Sequence, residues 1–91
     1  MSNKITAAHI LIKSEEKAIE ILNKLKAGKS FEELAKENSL CPSKKRGGSL
    51  GTFSRGQMVK EFEKAAFNLK KSEISKPIKT QFGWHIIKRI N

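Results

Sequence analysis

KITAAHILI, running from Lys4 to Ile12, is the stretch whose reading decides the fold. It is short and rich in β-branched residues, and alternation puts Ile5, Ala7, His9 and Leu11 on one face, with Thr6, Ala8, Ile10 and Ile12 on the other. Both faces are largely apolar, so the run reads as a strand covered on both sides and central in its sheet. Downstream, Ser14 caps a helix with Glu15 and Glu16 in the first turn, where the positive end of the dipole favours them. Ala18, Ile21, Leu22 and Leu25 follow at helical spacing until Gly28 stops it. Ser30 and Glu33 form a capping box that opens a second, shorter helix around Phe31, Leu34 and Ala35.

From Asn38 to Gly48 the pattern dissolves into NSLCPSKKRGG, which reads as a loop. Ser49 to Phe53 is a short strand. Met58 leads into Phe62, Ala65, Ala66 and Leu69, one buried helix face. Ile74 to Thr80 reads as an edge strand because Pro77 removes a ladder donor. Gly83 turns the chain into a final strand, Trp84 to Ile90. Strands first and last with helices between predict an α+β fold with an antiparallel sheet.

Ninety-one residues are enough for one domain, spanning 1–91 without a linker or second core. With 31% charged residues, a mean hydropathy of −0.50 and no apolar run near the ~18 residues a membrane helix needs, a membrane-spanning protein is excluded. The start of the chain has no signal-peptide pattern, so the expected compartment is the cytoplasm. The net charge of +10 comes from sixteen Lys and three Arg against nine Glu, and most of it lies after residue 37. Lys is a hydrated point charge without the planar fork of Arg, which argues against sequence-specific nucleic-acid reading. A solvated coat and association with an anionic membrane surface both fit such a field.

Cys41 is the only cysteine and can form neither an internal disulfide nor a Cys-based zinc site alone. His9 and His85 lack a third ligand at motif spacing, so no metal or cofactor is expected. A Cys–His nucleophile would lack its orienting third group. Gly47, Gly48, Gly51 and Gly56 fit no phosphate-loop spacing and read as turn glycines. The two histidines are the chain's only ones, and both fall in strands expected to be central. Each alone is an ordinary core histidine. If they pair, one ring nitrogen must donate and the other accept, so at least one ring stays neutral.

The order HILIK at His9–Lys13, FEELAK at Phe31–Lys36, SLCPSKKRGGSLG at Ser39–Gly51, FSRGQMV at Phe53–Val59, FEKAAF at Phe62–Phe67 and TQFGWHIIK at Thr80–Lys88 resembles the parvulin family of peptidyl-prolyl cis/trans isomerases. The likeness covers almost the whole chain, in the manner of minimal parvulins without a WW domain. It implies a four-stranded antiparallel sheet surrounded by about four helices, in β-α3-β-α-β2 order. It also implies that His9, His85, Thr80 and Cys41 are the catalytic set. Leu50, Met58 and Phe62 match the apolar residues that hold the substrate proline ring, and Phe82 matches an aromatic at the pocket rim. Glu61 departs from the proline common before the pocket Phe, and Ser49 stands where an acid is common.

The implied activity is rotation about Xaa-Pro bonds in client polypeptides by non-covalent stabilisation of the twisted amide. Lys13 is followed at once by the Ser14 cap, leaving no Arg-rich insertion of the phosphate-directed members, so no strict phosphate dependence is expected. Lys44, Lys45 and Arg46 beside the site read equally as a solvated loop and as a charge that favours an acidic residue before proline. The expected state is a monomer. Two other functions compete: a binding module that keeps the fold without catalysis, and a lysine-driven surface binder. The complete site set argues against the first.

Overall fold

The computed structural model describes residues 3–91, and KITAAHILI forms its strand β1 (Lys4–Ile12). β2 (Ser49–Ser54) and β4 (Gly83–Arg89) flank it, and β3 (Ile78–Thr80) forms the edge beyond β4. All pairs are antiparallel, so the two histidine-bearing strands are the two central ones. The element order is the one the family resemblance implied.

Caps place the helices much as the sequence dictates. α1 (Glu15–Lys26) starts where Ser14 Oγ accepts the Lys17 amide at 3.1 Å. In α2 (Phe31–Asn38), Ser30 Oγ accepts the Glu33 amide at 3.3 Å. The carboxylate that joins this cap is Glu32, which receives the Ser30 hydroxyl at 3.0 Å, so the expected Ser30–Glu33 box forms only in its serine half. α3 (Lys60–Asn68) lacks a side-chain cap at its start; its other end is tied to the sheet by Arg89 Nη1, which donates to Leu69 O at 2.7 Å. A cation there complements the negative helix end.

The sheet has a separate core on each face. Ala8, Ile10, Ile12 and Ile86 pack with Ala18 and Ile21 of α1 and Phe31, Leu34 and Ala35 of α2. Ile5, Ala7 and Ile87 pack with Phe53 and with Phe62 and Ala66 of α3. The alternation read from residues 4–12 is thus the division between the two cores.

Two stretches differ from the sequence reading. The supposed loop 38–48 contains a 3-10 helix, Pro42–Arg46, with proline in its first turn and Gly47 closing it in the left-handed region. The edge strand expected over Ile74–Thr80 is regular only from Ile78; before it, Ile74 makes a single bridge to Lys88. Pro77 lacks the amide that would continue the ladder, and Ser75 substitutes its side chain, Oγ accepting the Ile87 amide at 3.0 Å. Among the described residues no helix is long and apolar enough to cross a membrane.

Candidate functional site

His9 lies opposite Ile87, and His85 opposite Leu11, so the histidines are diagonal neighbours on adjacent strands. Diagonal pairs are within reach of ring side chains, and here the rings stack with centroids 5.1 Å apart. Their Nδ1 atoms are 2.9 Å apart, a hydrogen bond that requires one proton between them. Behind the pair, Thr80 Oγ1 lies 2.7 Å from His85 Nε2 and accepts the Phe82 amide at 3.1 Å. The chain of bonds therefore runs from the β3–β4 turn through Thr80 and His85 to His9. It stops there: His9 Nε2 is buried without a partner among the described residues.

Burial holds both imidazoles well below the usual histidine value, at about 4, and for His9 the proximity of His85 adds to the effect. Both rings are thus neutral at pH 7. The pair is less acid-sensitive than an unperturbed histidine, whose charge changes between pH 5 and 8.

Phe62 stands edge-on to both rings, at 5.5 Å from His9 and 5.3 Å from His85, and is itself buried. Above this floor is a cavity of about 340 Å³ lined by His9, Cys41, Leu50, Gln57, Met58, Val59, Phe62, Phe82 and His85. That volume is at the small end of ligand pockets, which run to roughly 300–1,000 Å³. Cys41 is half-buried at the start of the 3-10 helix. Phe82 is 59% exposed in the two-residue turn between β3 and β4, at the rim.

Leu50 reaches this cavity through an irregularity. Ala7 pairs with Gly51 and Ala8 with Ser49, leaving Leu50 between them as the extra residue of a β-bulge. Strict alternation from Phe53 would send Leu50 to the opposite face; the bulge turns it toward the Phe62 core. Gly48 lets the incoming chain approach His9: a Cβ there would lie 2.5 Å from the His9 carbonyl, and its φ is +90°.

Residues 9–91 match the family model described as the rotamase PPIC-type PPIase domain. The chain belongs to this family, the parvulin-type peptidyl-prolyl cis/trans isomerases. Foldase protein PrsA 1 of Bacillus cereus is 57% identical over 86 residues, covering 93% of this chain and 30% of that protein. The crystal structure of PrsA from Bacillus subtilis superposes with a TM-score of 0.95 at 51% identity, over 98% of this chain and 35% of that one. The solution structure of NmPin, the parvulin of Nitrosopumilus maritimus, gives 0.90 at 51% identity, over 100% and 99% of the two chains. This parvulin domain spans about 30% of the length of the curated PrsA relatives it matches.

Of the residues expected to form the parvulin site, His9, Cys41, Leu50, Met58, Phe62, Phe82 and His85 share the one cavity, and Thr80 supports it from behind. Lys44, Lys45 and Arg46 do not line it. All three are exposed on the 3-10 helix, and Arg46 borders a separate cavity with Phe31, Glu32 and Lys88 on the α2 side of the sheet. Gln57 and Val59 were not anticipated. Their signal was position: both flank Met58 where the chain enters α3, and Gln57 Oε1 secures that turn by accepting the Ser54 amide at 2.6 Å. Among the described residues no cluster of three or more His, Cys, Asp or Glu side chains is arranged to hold a metal ion.

Proposed function

We propose that this parvulin domain accelerates rotation about Xaa-Pro bonds in polypeptide clients by non-covalent stabilisation of the twisted amide. The observation that carries the reading is a small apolar cavity floored by Phe62 and two buried histidines, with a half-buried thiol at its edge. The prolyl amide rotates over a barrier of about 18–20 kcal/mol, and no bond need be made or broken to lower it. An acceleration of ~10⁵ requires about 7 kcal/mol at the barrier.

Leu50, Met58 and Phe62 hold the pyrrolidine ring while the carbonyl before it turns. Excluding water disfavours the polar planar amide relative to the twisted one, whose conjugation is lost. The Thr80–His85–His9 chain keeps the floor fixed and uncharged, so the cavity offers no cation to the planar amide's carbonyl oxygen. Cys41 sits beside the turning carbonyl and shapes its path without a covalent step. Clients are folding or folded chains, the former in keeping with the foldase names of the Bacillus relatives. No phosphate is required before proline. Lys44 and Lys45, exposed just after Cys41, favour an acidic residue there through long-range attraction.

Exchange NMR on Xaa-Pro peptides with neutral, acidic and basic residues before proline tests this. Catalysed exchange is expected in all three, fastest for the acidic peptide at low salt, with that advantage lost as salt rises. No catalysed exchange in any peptide overturns the reading.

A further inference from the structure

β2 accompanies β1 only as far as Ala8, so the remaining edge of β1 must find other partners. The segment after α2 supplies them. The His9 amide donates to Gly48 O at 2.9 Å, and Leu11 O accepts the Leu40 amide at 2.8 Å. The Leu11 amide donates to a side chain, Ser39 Oγ, at 3.0 Å. That same oxygen accepts the Cys41 amide at 3.4 Å. Ser39 is 3% exposed, and its own amide closes α2 by donating to Ala35 O. A serine oxygen therefore stands where a neighbouring strand would offer a carbonyl, and it joins β1 directly to the backbone of Cys41.

We propose that Ser39 is a positioning residue of the site, its hydroxyl oxygen fixing Cys41 against the strand that carries His9. The inference rests on the isomerase reading above. A hydroxyl oxygen has two lone pairs, so it serves both amides at once. Without it, Leu11 and Cys41 lose their common acceptor and only the Leu40 bond still holds this end of the segment to β1. A shift of the thiol by about 1 Å is enough to forfeit its contribution to turnover, about tenfold here.

The test is a double-mutant cycle on catalysed exchange, with folding of each variant checked by circular dichroism. Ser39→Ala is expected to lower kcat/KM by about tenfold in the wild-type background and to change little in a Cys41→Ala background. Ser39→Thr, which keeps the oxygen, is expected to retain the wild-type rate. A wild-type rate for folded Ser39→Ala, or an equal loss with and without Cys41, overturns the proposal. Should Ser39→Ala fail to fold, Ser39→Cys carries the same comparison, its sulfur filling the buried space as only a weak acceptor: slowing only when Cys41 is present supports the role, and a wild-type rate refutes it. Iodoacetamide alkylation of Cys41 gives a readout that needs no isomerase activity. A rate raised in Ser39→Ala and restored in Ser39→Thr supports positioning, whereas identical rates in all three proteins count against it. A wild-type chain that alkylates in this pattern but catalyses no exchange would defeat the isomerase reading and leave the Ser39–Cys41 link standing.

Discussion

The two faces of β1 are built from the same alternating strand but are used differently. On one, Ala8, Ile10 and Ile12 meet two helices in an apolar core, and the cavity that Arg46 borders on that side holds no other of the expected site residues. On the other, Ile5 and Ala7 meet the Phe62 core, and beyond them the strand carries His9 beside a cavity. The difference follows from coverage. A nine-residue strand extends roughly 30 Å, whereas α3, also of nine residues, is only about 13 Å long. One short helix cannot close the whole face. The face with two helices holds the larger apolar cluster, and the partly covered face leaves a cavity beside the buried histidines.

Truncation on each face is the strongest way to break this comparison. Ile10→Ala and Phe62→Ala each remove a buried side chain and should destabilise by about 2–5 and 3–5 kcal/mol respectively. Activity should separate them. kcat/KM per folded molecule is expected to stay near wild type for Ile10→Ala and to fall about 100-fold for Phe62→Ala, because only the latter removes the cavity floor. Similar losses in both variants would erase the functional distinction between the faces.

Acid sharpens the comparison, since the buried titratable pair is confined to one face. His9 and His85 are held at about 4 when folded and return to 6.5 when unfolded. The unfolded chain then binds more protons below pH 6.5, so the stabilisation is complete above that value and is lost as pH falls toward 4. The loss is on the order of 3 kcal/mol per histidine. Urea midpoints measured from pH 8 to 5, above the range where glutamates titrate, should be flat at first and then decline. A constant midpoint across that range would contradict the burial of the pair.

The smallest expected effect belongs to the cavity edge. Cys41→Ala should fold normally and slow catalysed exchange by about tenfold, on the order of 1.4 kcal/mol at the barrier. Complete loss of turnover in a folded Cys41→Ala protein would defeat the non-covalent mechanism.

Much of this was legible in the residues. The alternation of 4–12 divides the two cores, the serines at 14 and 30 cap the helices they were read to cap, and the histidines do fall in the central strands. The motif order placed the cavity residues, yet pattern alone would have misassigned Leu50, because a bulge is one extra residue that reverses the facing of a side chain. The 3-10 helix at Pro42–Arg46 was hidden because five residues are too few to display a period. Sequence adjacency groups Arg46 with Lys44 and Lys45, whereas the turn of that helix directs it to another cavity.

The sequence by itself determined the three α-helices, the central strands, the element order and the family, since these depend on local periodicity, capping chemistry and motifs read along the chain. Only the tertiary structure decided which atoms meet. The diagonal register joins His9 to His85, the bulge turns Leu50 toward Phe62, and Ser39 takes the strand edge that β2 leaves. Those contacts join residues 76, 12 and 28 positions apart in the chain. They form because backbone amides and buried rings must find partners in three dimensions, a requirement that no one-dimensional pattern records.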